Sequence, residues 1–208
     1  MRTLTFYFDF VSPYSYIAFQ CLHELPRDVA VDLRPVLFAG LLNHFGQKGP
    51  AELAPKRRWT YRWCTWWAKE LGIPFRFPAS HPFNPLHPLR LAVAAGATPE
   101  NVGRIFAAVW TTGMDASDAA AFKALATKLG VDEARLGARE VKDRLRSNTE
   151  EAAARGVFGV PTYEVDGELF WGADALGFVN AYLADPAALR NDEMRRADAL
   201  PVGAARKG

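Results

Sequence analysis

The chain has 208 residues, half of them hydrophobic, 12% aromatic and 23% charged, the composition of a folded globular protein and not of a disordered one. Its formal net charge of +2 is too small, and its basic and acidic residues too evenly mixed, to point to nucleic acid. No window reaches the roughly 18 apolar residues of a membrane span, the opening MRTLTFYFDFVSPYS lacks the apolar core and cleavage site of a secretory leader, and Cys21 and Cys64 form no C-x-x-C pair, so a reducing cytoplasm is expected, without disulfide framework or metal site.

Residues 3–10, TLTFYFDF, alternate and are rich in Thr, Phe and Tyr, which predicts a strand. Ser12-Pro13 then signals a helix start: the hydroxyl can accept from a first-turn N–H, and Pro occupies the position that needs no donor. Ile17, Cys21, Leu22 and Leu25 share one face of that helix and Pro26 ends it. VAVDLRPVLF, 29–38, is a second strand, and strand–helix–strand predicts parallel neighbours. From Ala39 to about Gly156 helical periodicity takes over, in 56–71, 86–95, 100–111, 117–129 and 137–155. Strands return in VPTYEVDGELFWG, joined at Asp166-Gly167, the preferred type I′ pair. A helix over 174–183 closes the pattern, and the tail rich in Ala, Arg and Asp is expected to lie on the surface or fray. The predicted fold class is α/β: a thioredoxin-like fold with a large helical insertion. Residues 1–38 and 157–208 make its discontinuous thioredoxin-like domain, and 39–156 the inserted helical domain.

In such a fold the first strand delivers the chain to a helix N-terminus, where unpaired N–H groups and the helix dipole favour an anion. Redox proteins place C-x-x-C there, because the dipole lowers a thiol pKa. Here the residues are Ser12-Pro13-Tyr14-Ser15, and a hydroxyl cannot perform thiol redox exchange. Any sulfur chemistry at this site must use sulfur from outside. Val160-Pro161, just before the returning strand, is a candidate cis peptide. It would face the Val160 backbone toward the helix start, ready to pair with an extended peptide.

FYFDFVSPYSYIA, LRPVLFAGLL, GVFGVPT and DGELFWGADAL, in this order and spacing, resemble the 2-hydroxychromene-2-carboxylate isomerase family, kin to kappa-class glutathione transferases within the DsbA-like group. The resemblance covers nearly the whole chain and fades after about Asp185. It implies glutathione as cofactor, with Ser12 as the catalytic residue that hydrogen-bonds the sulfur. It further implies that Val160 binds the cysteinyl backbone, that Trp171, Gly172, Ala173 and Asp174 hold the γ-glutamyl end, and that Lys56 meets a carboxylate. The reaction implied opens 2-hydroxychromene-2-carboxylate-type compounds to trans-o-hydroxybenzylidenepyruvate-type products by reversible thiolate addition, in aromatic catabolism and as a homodimer. Asn84 and Arg90 are polar candidates for the second-substrate pocket, Arg90 being suited to a bidentate carboxylate contact.

Plainer readings stand beside these. Ser12 and Asp174 are also good helix caps, Ser15 is an ordinary first-turn residue, and Lys56, Arg57 and Arg58 form a solvated helix start. Trp59, Trp63, Trp66 and Trp67 recur at helical spacing, which predicts core before pocket. The rival functions are a kappa-like transferase or peroxidase, which consumes glutathione, and a non-catalytic peptide-binding thioredoxin fold.

Overall fold

The computed structural model describes residues 2–115 and 118–204. Four strands form one sheet: β1 (Arg2–Phe8), β2 (Val29–Pro35), β3 (Thr162–Val165) and β4 (Glu168–Trp171), in the order β2-β1-β3-β4. β1 runs parallel to β2, and β3 pairs antiparallel with both β1 and β4. Asp166 (φ 52°) and Gly167 (φ 87°) supply the two positive φ angles that a type I′ turn needs. The parallel β1–β2 pair and the β3–β4 hairpin are thus as expected.

Between β1 and β2 lies α1 (Pro13–Cys21), and between β2 and β3 lie α2 (Phe38–His44), α3 (Ala54–Glu70), α4 (Leu86–Ala95), α5 (Pro99–Trp110), α6 (Ala119–Lys128), α7 (Glu133–Leu136) and α8 (Arg139–Ala154). Residue 117, the first of one predicted helix, lies outside the described residues; α6 begins after Asp118, whose carboxylate accepts from Ala120 N and Ala121 N. α9 (Leu176–Ala184) closes on the sheet, and the tail forms a further helix, α10 (Asp192–Asp198), in place of fraying throughout. Asn191 caps α10, accepting from Met194 N at 2.9 Å. No described helix is long and apolar enough to cross a membrane.

β1 is buried on both faces toward its C-terminal end, which is why its alternation carries aromatic residues at consecutive positions. Leu4, Phe6, Phe8 and Phe10 enter the main core, where Phe10 meets Phe106 of α5 at 4.6 Å between ring centroids. Tyr7 enters a smaller core with Val36, Leu41, Ala152 and Val160 behind the sheet. Residues of the sheet, α1 and the helical insertion share the main core: Tyr163 and Ile17 belong to the same cluster as Leu89, Phe106 and Trp110. The Trp110 indole N–H donates to Phe10 O at 2.8 Å, so the end of β1 is locked to α5 just before the turn that carries Ser12.

The strand expected over 29–38 ends at Pro35, and α2, which no local signal marks, begins at Phe38. Its start has no local cap. Phe38 N instead donates to Asp9 Oδ2 at 2.8 Å and Leu37 N to Thr149 Oγ1 at 2.9 Å, so distant side chains satisfy the first-turn donors. The tryptophan reading also needs correction. Trp63 and Trp67 pack partly against the core, but Trp59 and Trp66 are 64% and 51% exposed.

Candidate functional site

The site forms where β1 ends, because the chain must turn out of the sheet and into α1 within four residues. Ser12 occupies the cap in extended conformation (φ −90°, ψ 115°), and its Oγ accepts from Ser15 N at 3.1 Å. Ser12 N donates to Asp9 O at 3.1 Å, and Ser12 O accepts from Tyr16 N at 3.2 Å. A hydroxyl has one proton and two lone pairs. The cap bond uses a lone pair, so the Oγ proton stays available for an acceptor in the adjoining cavity, which Ser12 lines.

That cavity has a volume of about 430 Å³. α1 and the turn before it supply Tyr14 and Ser12, the start of α2 supplies Phe38, the start of α3 supplies Lys56, the loop before β3 supplies Phe158 and Val160, and the end of β4 supplies Trp171. Four expected site residues, Ser12, Lys56, Val160 and Trp171, therefore meet in one place. Val160-Pro161 is cis, as expected. Gly159 lets Trp171 close in: a Cβ there would stand 2.7 Å from the indole nitrogen.

Gly172, Ala173 and Asp174 continue directly from Trp171. Gly172 N donates to Pro161 O at 3.0 Å, tying this segment to the Val160 side of the cavity. Gly172 has φ 109° and its missing Cβ leaves room for the Asp174 carboxylate, whose Oδ1 would lie 2.6 Å from such an atom. The expected helix start at 173–174 is a short 3₁₀ turn, Ala173–Ala175, and α9 proper begins at Leu176.

The two candidates for the second substrate fall elsewhere. Asn84 Oδ1 accepts from Leu86 N at 3.1 Å and shapes the entry to α4, between Phe83 and Pro85, which do line the cavity. Arg90 lies one turn further along α4 and faces a different cavity. Ser15 is fully buried, its Oγ without a hydrogen-bond partner among the described residues, in keeping with a first-turn role.

Three residues of the site went unread in the sequence. Asp9, wholly buried, accepts from Val11 N at 3.0 Å and from Phe38 N, and so joins the Ser12 turn to α2. Burial pushes its carboxyl up to about 7, against the two backbone donors that favour the ionised form. His81 Nε2–H donates to Val11 O at 2.7 Å, and the Tyr61 hydroxyl lies 2.7 Å from both Nδ1 and the carbonyl oxygen of His81. Burial lowers the imidazole pKa, which keeps the neutral, single-donor form in place. Lys48 adds a second ammonium to the cavity lining beside Lys56. The signal for Asp9 was present: an acidic residue inside the apolar run FYFDF needs buried partners. His81 was hidden in a run of His-Pro pairs that reads only as loop.

The Tyr14 phenol is pushed up to about 12, by burial first and then by neighbouring Cys64, and its side-chain partners are Thr60 and Cys64. Burial likewise pushes the Cys64 thiol up to about 12, so it is no thiolate at neutral pH.

The family model for the DSBA-like thioredoxin domain matches residues 3–184. A 2-hydroxychromene-2-carboxylate isomerase of Sphingobium xenophagum is 31% identical over 193 residues, covering 88% of this chain and 99% of that protein. Glutathione S-transferase kappa 2 of Caenorhabditis elegans is 30% identical over 210 residues, covering 89% of this chain and 93% of that protein. A solved structure of a 2-hydroxychromene-2-carboxylate isomerase is similar with a TM-score of 0.76 at 28% identity, over 96% of this chain and 100% of that one.

Proposed function

Because the chain belongs to the DSBA-like thioredoxin family, and within it to the 2-hydroxychromene-2-carboxylate isomerases and their kappa-class kin, we propose that it is a glutathione-dependent isomerase. It converts 2-hydroxychromene-2-carboxylate-type compounds to trans-o-hydroxybenzylidenepyruvate-type products in aromatic catabolism. The observation that carries this reading is Ser12: its hydroxyl caps α1 as an acceptor while its proton stays free at a cavity wall.

When bound, glutathione supplies a thiolate that adds reversibly to a conjugated carbon of the substrate and turns a double bond into a rotatable single bond, and it is recovered on elimination. Ser12 would donate a hydrogen bond from its Oγ–H to the sulfur, the proton staying on oxygen, and so favour the thiolate, with the start of α1 adding the favourable end of the helix dipole. The main chain at Val160 pairs with the cysteinyl backbone, and Asp174 answers the γ-glutamyl ammonium beside Trp171, Gly172 and Ala173. Lys56 meets a carboxylate at the mouth. Phe38, Phe83 and Phe158 line the same cavity and give an aromatic substrate apolar walls. Both cysteines are free, in accord with the cytoplasmic setting of this reading, and its working unit is a homodimer, which light scattering checks.

The deciding experiment supplies 2-hydroxychromene-2-carboxylate in large excess over glutathione. Product beyond the amount of glutathione, with free thiol constant, is the expected result. Loss of one thiol per product establishes instead the transferase reading, which the similarity to the Caenorhabditis elegans kappa protein supports. Turnover at the same rate without glutathione overturns both.

A further inference from the structure

Arg90 lines a second cavity, of about 440 Å³, on the far side of α2. The short helix is the wall between the two: Phe38, Ala39 and Leu42 face the Ser12 cavity, whereas Gly40 and His44 face this one. α4 contributes Leu86 and Arg90, and α8 contributes Lys142, Leu145, Arg146, Thr149 and Ala153.

Most polar groups here are already engaged. Thr149 Oγ1 donates to Leu145 O and accepts from Leu37 N, both at 2.9 Å. Arg146 is held by Asp143 at 2.8 Å and reaches Glu150 at 3.9 Å. Arg90 differs: among the described residues it has no ion-pair partner, and its Nε is shut away from solvent with no hydrogen-bond acceptor. A buried N–H left unmade is a cost that native structures rarely carry without a reason. Lys142, exposed at the rim, also lacks an ion-pair partner among the described residues.

We propose that this second cavity is a binding site for a small organic carboxylate with an apolar body, held by the Arg90 guanidinium. The planar guanidinium of Arg90 carries its two terminal nitrogens, Nη1 and Nη2, side by side, the spacing of a carboxylate's two oxygens. Leu37, Leu86 and Leu145 receive the body, and Lys142 adds attraction at the rim. Glu150 opposes a second negative charge, so the ligand is a monoanion.

Salicylate is a suitable probe. Titrated into the full-length ¹⁵N-labelled protein, it should shift the amides of Gly40, His44, Arg90, Leu145 and Ala153 saturably. Arg90→Gln should weaken binding about tenfold, with Arg90→Lys between the two because it keeps charge but not the fork. Lys142→Glu, at an exposed position that tolerates change, should weaken it about threefold or more and keeps the test open if Arg90→Gln fails to fold. Phenol, which lacks the carboxylate, should not shift these amides. Shifts confined to Ser12, Phe158 and Trp171, equal shifts with phenol, or affinity unchanged by both Arg90→Gln and Lys142→Glu would overturn the proposal.

Discussion

The two cavities flanking α2 are almost equal in volume, about 430 and 440 Å³, yet they hold charge in different ways. In front of α2 the principal donor is a hydroxyl held through the main chain: Ser12 takes part in hydrogen bonds with Asp9, Ser15 and Tyr16. Behind α2 the donors sit at the ends of long side chains. A donor that needs no reorganisation stabilises charge that appears during a reaction, whereas a flexible arginine that must be ordered is better matched to an anion already present. Equal space therefore suits one side to chemistry and the other to binding.

The largest expected effect separates the sides completely. Ser12→Ala should lower turnover about 100- to 1000-fold, the usual cost of removing a preorganised donor. Only about 1 kcal/mol of stability should go with the lost cap, and salicylate binding behind α2 should be unaffected. An activity loss under about threefold would end the distinction.

Asp9, bonded to the start of α2, tests the shared wall through pH. Its carboxyl ionises at about 7 in the fold against an ordinary 3.8, so between those values the folded chain holds a proton that the unfolded chain has released. Stability must then fall as pH rises through this window, on the order of 1 kcal/mol per pH unit. Thermal melts of the wild type should show that slope and those of Asp9→Asn should lack it; parallel profiles would assign the slope to other groups.

Gly159→Ala places a Cβ against the Trp171 indole and should weaken glutathione binding about tenfold by displacing one wall of the front cavity. Calorimetry with glutathione measures this, and an unchanged affinity would remove Trp171 from the cofactor's environment. The smallest effect is expected from Lys56→Gln, about threefold in glutathione affinity at low salt and vanishing at high salt, because the ammonium is exposed.

Which parts could be read from the sequence follows from where each element finds its partners. Ser12, Pro13 and the Asp166-Gly167 turn act within a few residues, so their residue types reveal them. α2 is invisible locally, because its donors are satisfied by Asp9, 29 residues before Phe38, and by Thr149, 112 residues after Leu37. Asn84 and Arg90 are both expected at the second-substrate pocket, but α4 starts between them. Leu86 and Arg90, four apart, share a helical face turned away from Phe83 and Pro85. The tryptophans of α3 make the same point from the other side: spacing identified a common face, and Trp59 stacks on Trp63 at 6.1 Å, but periodicity alone cannot say whether anything covers that face.

The imidazole of His81 bonds the carbonyl of Val11, one peptide before Ser12. The segment that carries the aromatic wall at Phe83 and Pro85 is thereby hung from the same point as the hydroxyl. Substitutions at Phe83 or Pro85 therefore change the wall without removing the bond that holds Val11 beside the serine. Such an anchor separates the part that fixes the donor from the part that shapes the space around it.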